Sequence, residues 1–106
     1  MSEVLTINNW INNEEVPSGK YRESRDPGNM DVVVARVAQG DAATVDAAVQ
    51  AAFKAQKAWA ALPLSERKAY AEKCMQINVE AMNDLVEIAV RDAGYEKRTA
   101  ELDFGV

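Results

Sequence analysis

The sequence predicts an α+β chain: a short antiparallel β meander or hairpin at the N-terminus, then a long antiparallel helical hairpin and a short C-terminal helix. Three observations predict it. Between Val4 and Val37, short apolar and β-branched runs alternate with turn-forming clusters. After Gly40 the apolar residues recur with the period of a helix. Pro63 and Gly94 then divide that helical stretch into two helices and a remainder.

Strands are expected at Val4-Leu5-Thr6-Ile7 running to Trp10-Ile11, at Tyr21-Arg22-Glu23-Ser24, and at Val32-Val33-Val34-Ala35-Arg36-Val37. Asn12-Asn13, Pro17-Ser18-Gly19 and Asp26-Pro27-Gly28-Asn29 separate them with residues that preset φ or tolerate positive φ, which suits tight antiparallel connections.

The first helix carries Val45, Val49, Ala52, Phe53, Trp59 and Leu62 on one side, with Lys54 and Lys57 on the other. Asp41 or Thr44 can accept from its first free amides, Asp46 suits its positive end, and Pro63 stops it. Ser65 and Glu66 open a second helix, whose stripe of Tyr70, Cys74, Ile77, Ala81, Leu85 and Ile88 runs to Ala93 before Gly94. The segment from Tyr95 to Val106 is charged up to Asp103 and predicts a brief, uncapped third helix. With no internal repeat, residues 1–106 read as one small domain, a β segment at 1–40 and a helical segment at 41–106.

The 106 residues are 48% hydrophobic and 27% charged, a globular composition that predicts burial of roughly 60–65% of the unfolded surface. A net charge of −5, with basic and acidic residues interleaved, speaks against nucleic acid as a partner. The opening Met1-Ser2-Glu3-Val4 lacks a basic region leading into an apolar one, and no apolar run approaches the ~20 residues that span a bilayer. No membrane partner is expected. The single cysteine can form no internal disulfide and suits a reducing compartment, so the expected location is cytoplasmic.

Chemistry is sparse. Histidine is absent, which removes the commonest general base and neutral metal ligand. Cys74 sits on the apolar stripe and is expected to be buried and inert. Ser18-Gly19-Lys20 resembles the tail of a phosphate loop, but the earlier glycine and the flanking strand and helix are missing, so a turn is the better reading. Glu14-Glu15, and Asp84 with Glu87, read as solvated charge, and Trp59 as core instead of a ligand platform. No catalytic, cofactor-binding or metal-ligating residue is assigned.

The ordered motifs Asn8-Asn9-Trp10-Ile11, Ser24-Arg25-Asp26-Pro27, Val34-Ala35-Arg36-Val37-Ala38, Val45 to Ala55 and Trp59-Ala60-Ala61-Leu62-Pro63 nevertheless resemble, across nearly the whole chain, the opening of the aldehyde dehydrogenase superfamily. Asn8-Asn9-Trp10-Ile11 is similar to the family's early Asn-Gly-x-Trp strand, and Ser24-Arg25-Asp26-Pro27 stands where the family has Asn-Pro. Val34-Ala35-Arg36-Val37-Ala38 resembles its Ile-Ala-x-Val-Pro strand. Most specific is the run from Val45 to Ala55, followed by Trp59-Ala60-Ala61-Leu62-Pro63 and Ser65-Glu66-Arg67. The family's later Gly-Lys-Pro is here Gly94-Tyr95-Glu96, and Glu101 lies beyond the family's glutamate.

The resemblance implies NAD(P)-dependent oxidation of an aldehyde to an acid, with a cysteine nucleophile, a glutamate base and a Rossmann-like cofactor domain. In the family those parts come later in a several-fold longer chain, and Cys74 does not match the nucleophile. The expectation is therefore a truncated aldehyde-dehydrogenase-like protein, inactive alone, with no cofactor of its own because NAD(P) is implied only for a full-length member. Phe53, Trp59, Ile77, Leu85 and Ile88 would line faces without their usual partners, which predicts homo-oligomers through the apolar helix faces. The alternative is a stand-alone oligomerising interaction module built on the helical hairpin. A weaker third reading lets a groove between the helices hold a small ligand.

Overall fold

Asn12 and Asn13 both adopt the left-handed backbone, with φ of 53° and 62°. Asparagine tolerates that region, and two such residues in succession make the turn whose twist matches a two-residue hairpin. A computed structural model of the chain describes residues 3–104. The ends of two sequence readings, Met1-Ser2 and Gly105-Val106, lie outside the described residues. The elements in order are β1 (Leu5–Ile7), β2 (Asn9–Ile11), β3 (Glu14–Val16), β4 (Tyr21–Asp26), β5 (Asn29–Ala38), α1 (Ala42–Ala61), α2 (Leu64–Glu80), α3 (Met82–Ala93) and α4 (Lys97–Phe104). The architecture is α+β, strands first and helices after.

The Asn12-Asn13 turn joins β2 to β3 as an antiparallel pair in which Trp10 faces Glu15. β4 and β5 are antiparallel too, joined through Pro27-Gly28, where the Asp26 carboxylate accepts the Gly28 N–H at 2.8 Å. β1 departs from a simple meander. It pairs parallel to β5, Leu5 against Ala35, giving a three-stranded sheet of order β1-β5-β4. The chain can run parallel there because the β2–β3 hairpin and β4 together form a long return connection.

β5 is the central strand, and the core lies around it. Val34 is fully buried, Ala35 and Ala38 nearly so, and Val86 of α3 and Ala100 of α4 complete the buried apolar set among the described residues. Removing a valine side chain such as Val34 from water contributes about 1.5–3 kcal/mol.

α1 begins at Asp41, whose side chain accepts from the Thr44 N–H at 2.8 Å, and ends at Leu62, held extended before Pro63. The single long second helix expected from Ser65 to Ala93 is instead α2 and α3, meeting at Ala81. The hydrogen bonds continue across it, Ala81 N–H to Ile77 O and Leu85 N–H to Ala81 O, both at 3.0 Å. The sequence holds no breaker there. Support changes at that point: α3 packs on β4, β5 and α4 and buries Val86, whereas α2 buries no residue. Gly94, at φ 67°, closes α3 in the left-handed conformation.

Contacts between α1 and α2 are sparse. Near the elbow between them the rings of Trp59 and Tyr70 stand 5.5 Å apart and tilted. Neither helix buries a residue, and the radius of gyration is 16.9 Å, against about 13 Å for a compact domain of this length. The chain exposes 8586 Å², so only about half of its unfolded surface is buried instead of the expected 60–65%.

Candidate functional site

Ser18, Gly19 and Lys20 form the turn that leads β3 into β4, and their polar groups serve one another. The Ser18 hydroxyl donates to Gln39 O at 2.6 Å and accepts the Lys20 N–H at 3.1 Å. The Tyr21 hydroxyl donates to Asn8 Oδ1 at 2.6 Å, while Arg36 lies over the Tyr21 ring, 5.2 Å from its centre. Asn8 in turn donates to Glu15 at 3.1 Å. This network fastens the β2–β3 hairpin to the sheet and holds the turn shut.

The start of α1 lies beside that turn, with Asp41 and Thr44 lining the same shallow depression as Ser18 and Lys20. The Thr44 N–H and hydroxyl, both 2.8 Å from Asp41 Oδ1, hold the Asp41 carboxyl below its ordinary range. A helix N-terminus that already carries its own carboxylate is a poor host for a phosphate. Glu66 puts another carboxylate in the first turn of α2.

Cys74 corrects the sequence reading: it is exposed, not buried. Its stripe-mates Tyr70 and Ile77 are 58% and 53% exposed, and α2 buries no residue. Glu14 and Glu15 are exposed on β3, and Asp84 and Glu87 are exposed on α3. Trp59 rests against Tyr70, 42% exposed.

Two features lay outside the sequence reading. A groove of about 480 Å³ runs between α3 and α4, lined by Val86, Val90, Arg91, Lys97 and Glu101 among others. It depends on how two helices cross, which carries no local signal. Arg67 of α2 is half-buried, and its Nε is shielded from solvent with no hydrogen-bond partner among the described residues. Among those residues, no group of three or more acidic or cysteine side chains could hold a metal ion, and no helix is long and apolar enough to cross a membrane.

The profile of the aldehyde dehydrogenase family matches residues 10–105. The chain belongs to the aldehyde dehydrogenase family. It is 38% identical over 87 residues to the NAD(+) benzaldehyde dehydrogenase of Pseudomonas putida, a match covering 81% of this chain and 17% of that protein. Two crystal structures share its fold. Proline utilization A (PutA) from Bdellovibrio bacteriovorus, inactivated by N-propargylglycine, superposes with a TM-score of 0.92 at 29% identity, over 95% of this chain and 10% of that one. An NAD-dependent benzaldehyde dehydrogenase from Corynebacterium glutamicum superposes with a TM-score of 0.81 at 32% identity, over 89% of this chain and 21% of that one. The chain thus spans about a fifth or less of the length of these relatives.

Two of these relatives are named as NAD-dependent, and two polar turns of this chain offer a dinucleotide phosphate no free set of amides. The N-terminus of α1 is filled by Asp41, and the Ser18-Gly19-Lys20 turn is closed on itself.

Proposed function

We propose that these residues serve aldehyde oxidation as scaffold: they form the opening β segment and first helices of an NAD(P)-dependent dehydrogenase architecture and supply none of its reacting groups. The 106-residue chain alone then does not turn over aldehyde. Oxidation to the acid needs a nucleophile for the carbonyl carbon, a nicotinamide to take the hydride and a water to supply the second oxygen. In this reading all three are held by residues outside this segment.

The ordered family match from residue 10 to 105 carries the reading. Two physical features support it. The only cysteine lies on an exposed helix face, and no histidine is present to activate it. The shielded Nε of Arg67 lacks an acceptor among the described residues, a lack that costs about 1–3 kcal/mol unless a neighbouring part of a larger body supplies one. The acidic charge and the unpaired thiol also support a cytoplasmic setting without nucleic acid.

Two measurements test it. Purified chain mixed with an aldehyde and NAD(P) should give no reduced cofactor above buffer, and a rate above buffer would overturn the reading. Residues 10–105 grafted in place of their counterpart in the Corynebacterium glutamicum benzaldehyde dehydrogenase should leave a folded enzyme that oxidises benzaldehyde. A folded chimera without activity would mean that the segment does more than scaffold.

A further inference from the structure

α2 inverts the usual order of burial. From Leu64 to Glu80 every residue is exposed except one, the half-buried Arg67. Leu64 and Val79 of the same helix are 74% and 67% exposed. Arginine is among the last residues a fold covers unless a partner holds it. This covering is made within the chain, by residues already present, so it does not depend on what lies beyond them.

No such partner stands among the described residues. The Arg67 Nε is shielded from solvent and has no hydrogen-bond acceptor, and none of the ion pairs among those residues includes this arginine. Its position adds to the imbalance, since Arg67 is the fourth residue of α2, near the end where the helix dipole disfavours a cation. The guanidinium stays charged at every ordinary pH and cannot escape by losing a proton.

Geometry narrows the chemistry of the missing partner. The stem of Arg67 is covered as far as Nε, while Nη1 and Nη2 are not shielded in that way. The open end of the planar fork therefore presents two donors side by side, which match the two oxygens of a carboxylate. A backbone carbonyl offers one oxygen and no opposing charge. A stem already held loses little further freedom when the partner arrives.

We propose that Arg67 is the anchor by which this segment docks on the rest of a longer dehydrogenase, its Nη1 and Nη2 donating to a carboxylate from polypeptide outside residues 1–106. The proposal rests on the scaffold reading and names the chemistry of one contact that such a scaffold makes.

The chimera carrying residues 10–105 in the Corynebacterium glutamicum benzaldehyde dehydrogenase gives the test. Its crystal structure should show an Asp or Glu carboxylate from outside the graft within ~3 Å of the Arg67 Nη atoms. Arg67→Met, which keeps the apolar stem, should lower the melting temperature of the chimera by about 2 °C or more. In the isolated chain the same substitution should leave the melting temperature unchanged or raised. A guanidinium facing only water, backbone carbonyls or a cofactor phosphate in an active chimera overturns the proposal and leaves the scaffold reading standing. An equal loss in the isolated chain overturns it too, because the arginine then serves its own segment. A chimera that folds without activity removes the scaffold reading instead, and its structure still reads the Arg67 contact directly.

Discussion

Gly94 closes α3 directly against Pro27 of the β4–β5 turn: a Cβ built on Gly94 would stand 2.8 Å from Pro27 Cγ, at a φ of 67°. Two penalties therefore meet at one position, the left-handed backbone and a steric overlap with a rigid ring. Gly94→Ala should destabilise the fold by about 2 kcal/mol. Pro27→Ala in the same chain removes the overlap and should recover the steric part, leaving about 1 kcal/mol. Urea unfolding of the two single variants and the double checks both figures. Additive losses would show that the helix end and the turn do not touch.

Asp41 makes stability depend on acid. Its carboxyl titrates below the ordinary value because the Thr44 N–H and hydroxyl favour the charged form. A group with a depressed folded pKa contributes stability above its unfolded value of about 3.8, and that contribution is lost as pH falls through the lower folded value. Melting curves between pH 6 and pH 2 should show this loss for the natural chain. Asp41→Asn keeps a capping acceptor and should flatten this component, whereas Asp41→Ala should lower the melting point at neutral pH.

Cys74 should behave as a surface thiol. A thiol-specific dye should modify it in the native chain without denaturant, and Cys74→Ser should change stability by less than about 0.5 kcal/mol. Reaction only after unfolding would mean that α2 is covered in solution.

Several parts of this fold were legible because their signals are local. Asp41 and Pro63 bracket α1, Gly94 ends α3, and Asn12-Asn13 makes a hairpin turn, each through its own backbone or side chain. β3 was hidden because Glu14 and Glu15 are exposed and charged, and they take strand form only by pairing with Ile11 and Trp10. The parallel match of β1 to β5 and the break at Ala81 depend on distant packing, so no neighbouring residue announces them.

Periodicity predicts apolar stripes on α1 and α2, but α2 carries Leu64, Met75 and Val79 off its stripe, and periodicity cannot say whether anything covers either helix. Cys74 shows the cost of assuming that it can. The family resemblance was legible for another reason: the spaced alanines, Trp59 and Arg67 form an ordered string. Functional geometry was less accessible, since the α3–α4 groove and the shielded Arg67 Nε arise only when elements meet.

The parallel seat of β1 also sets an order of events during synthesis. Leu5 is made first, yet its partner Ala35 emerges thirty positions later, roughly 1.5–6 s at ordinary translation rates. The β4–β5 hairpin, once made, closes within microseconds. During synthesis β1 therefore cannot meet its partner until β5 has been made, by which time the β4–β5 hairpin has had ample time to close.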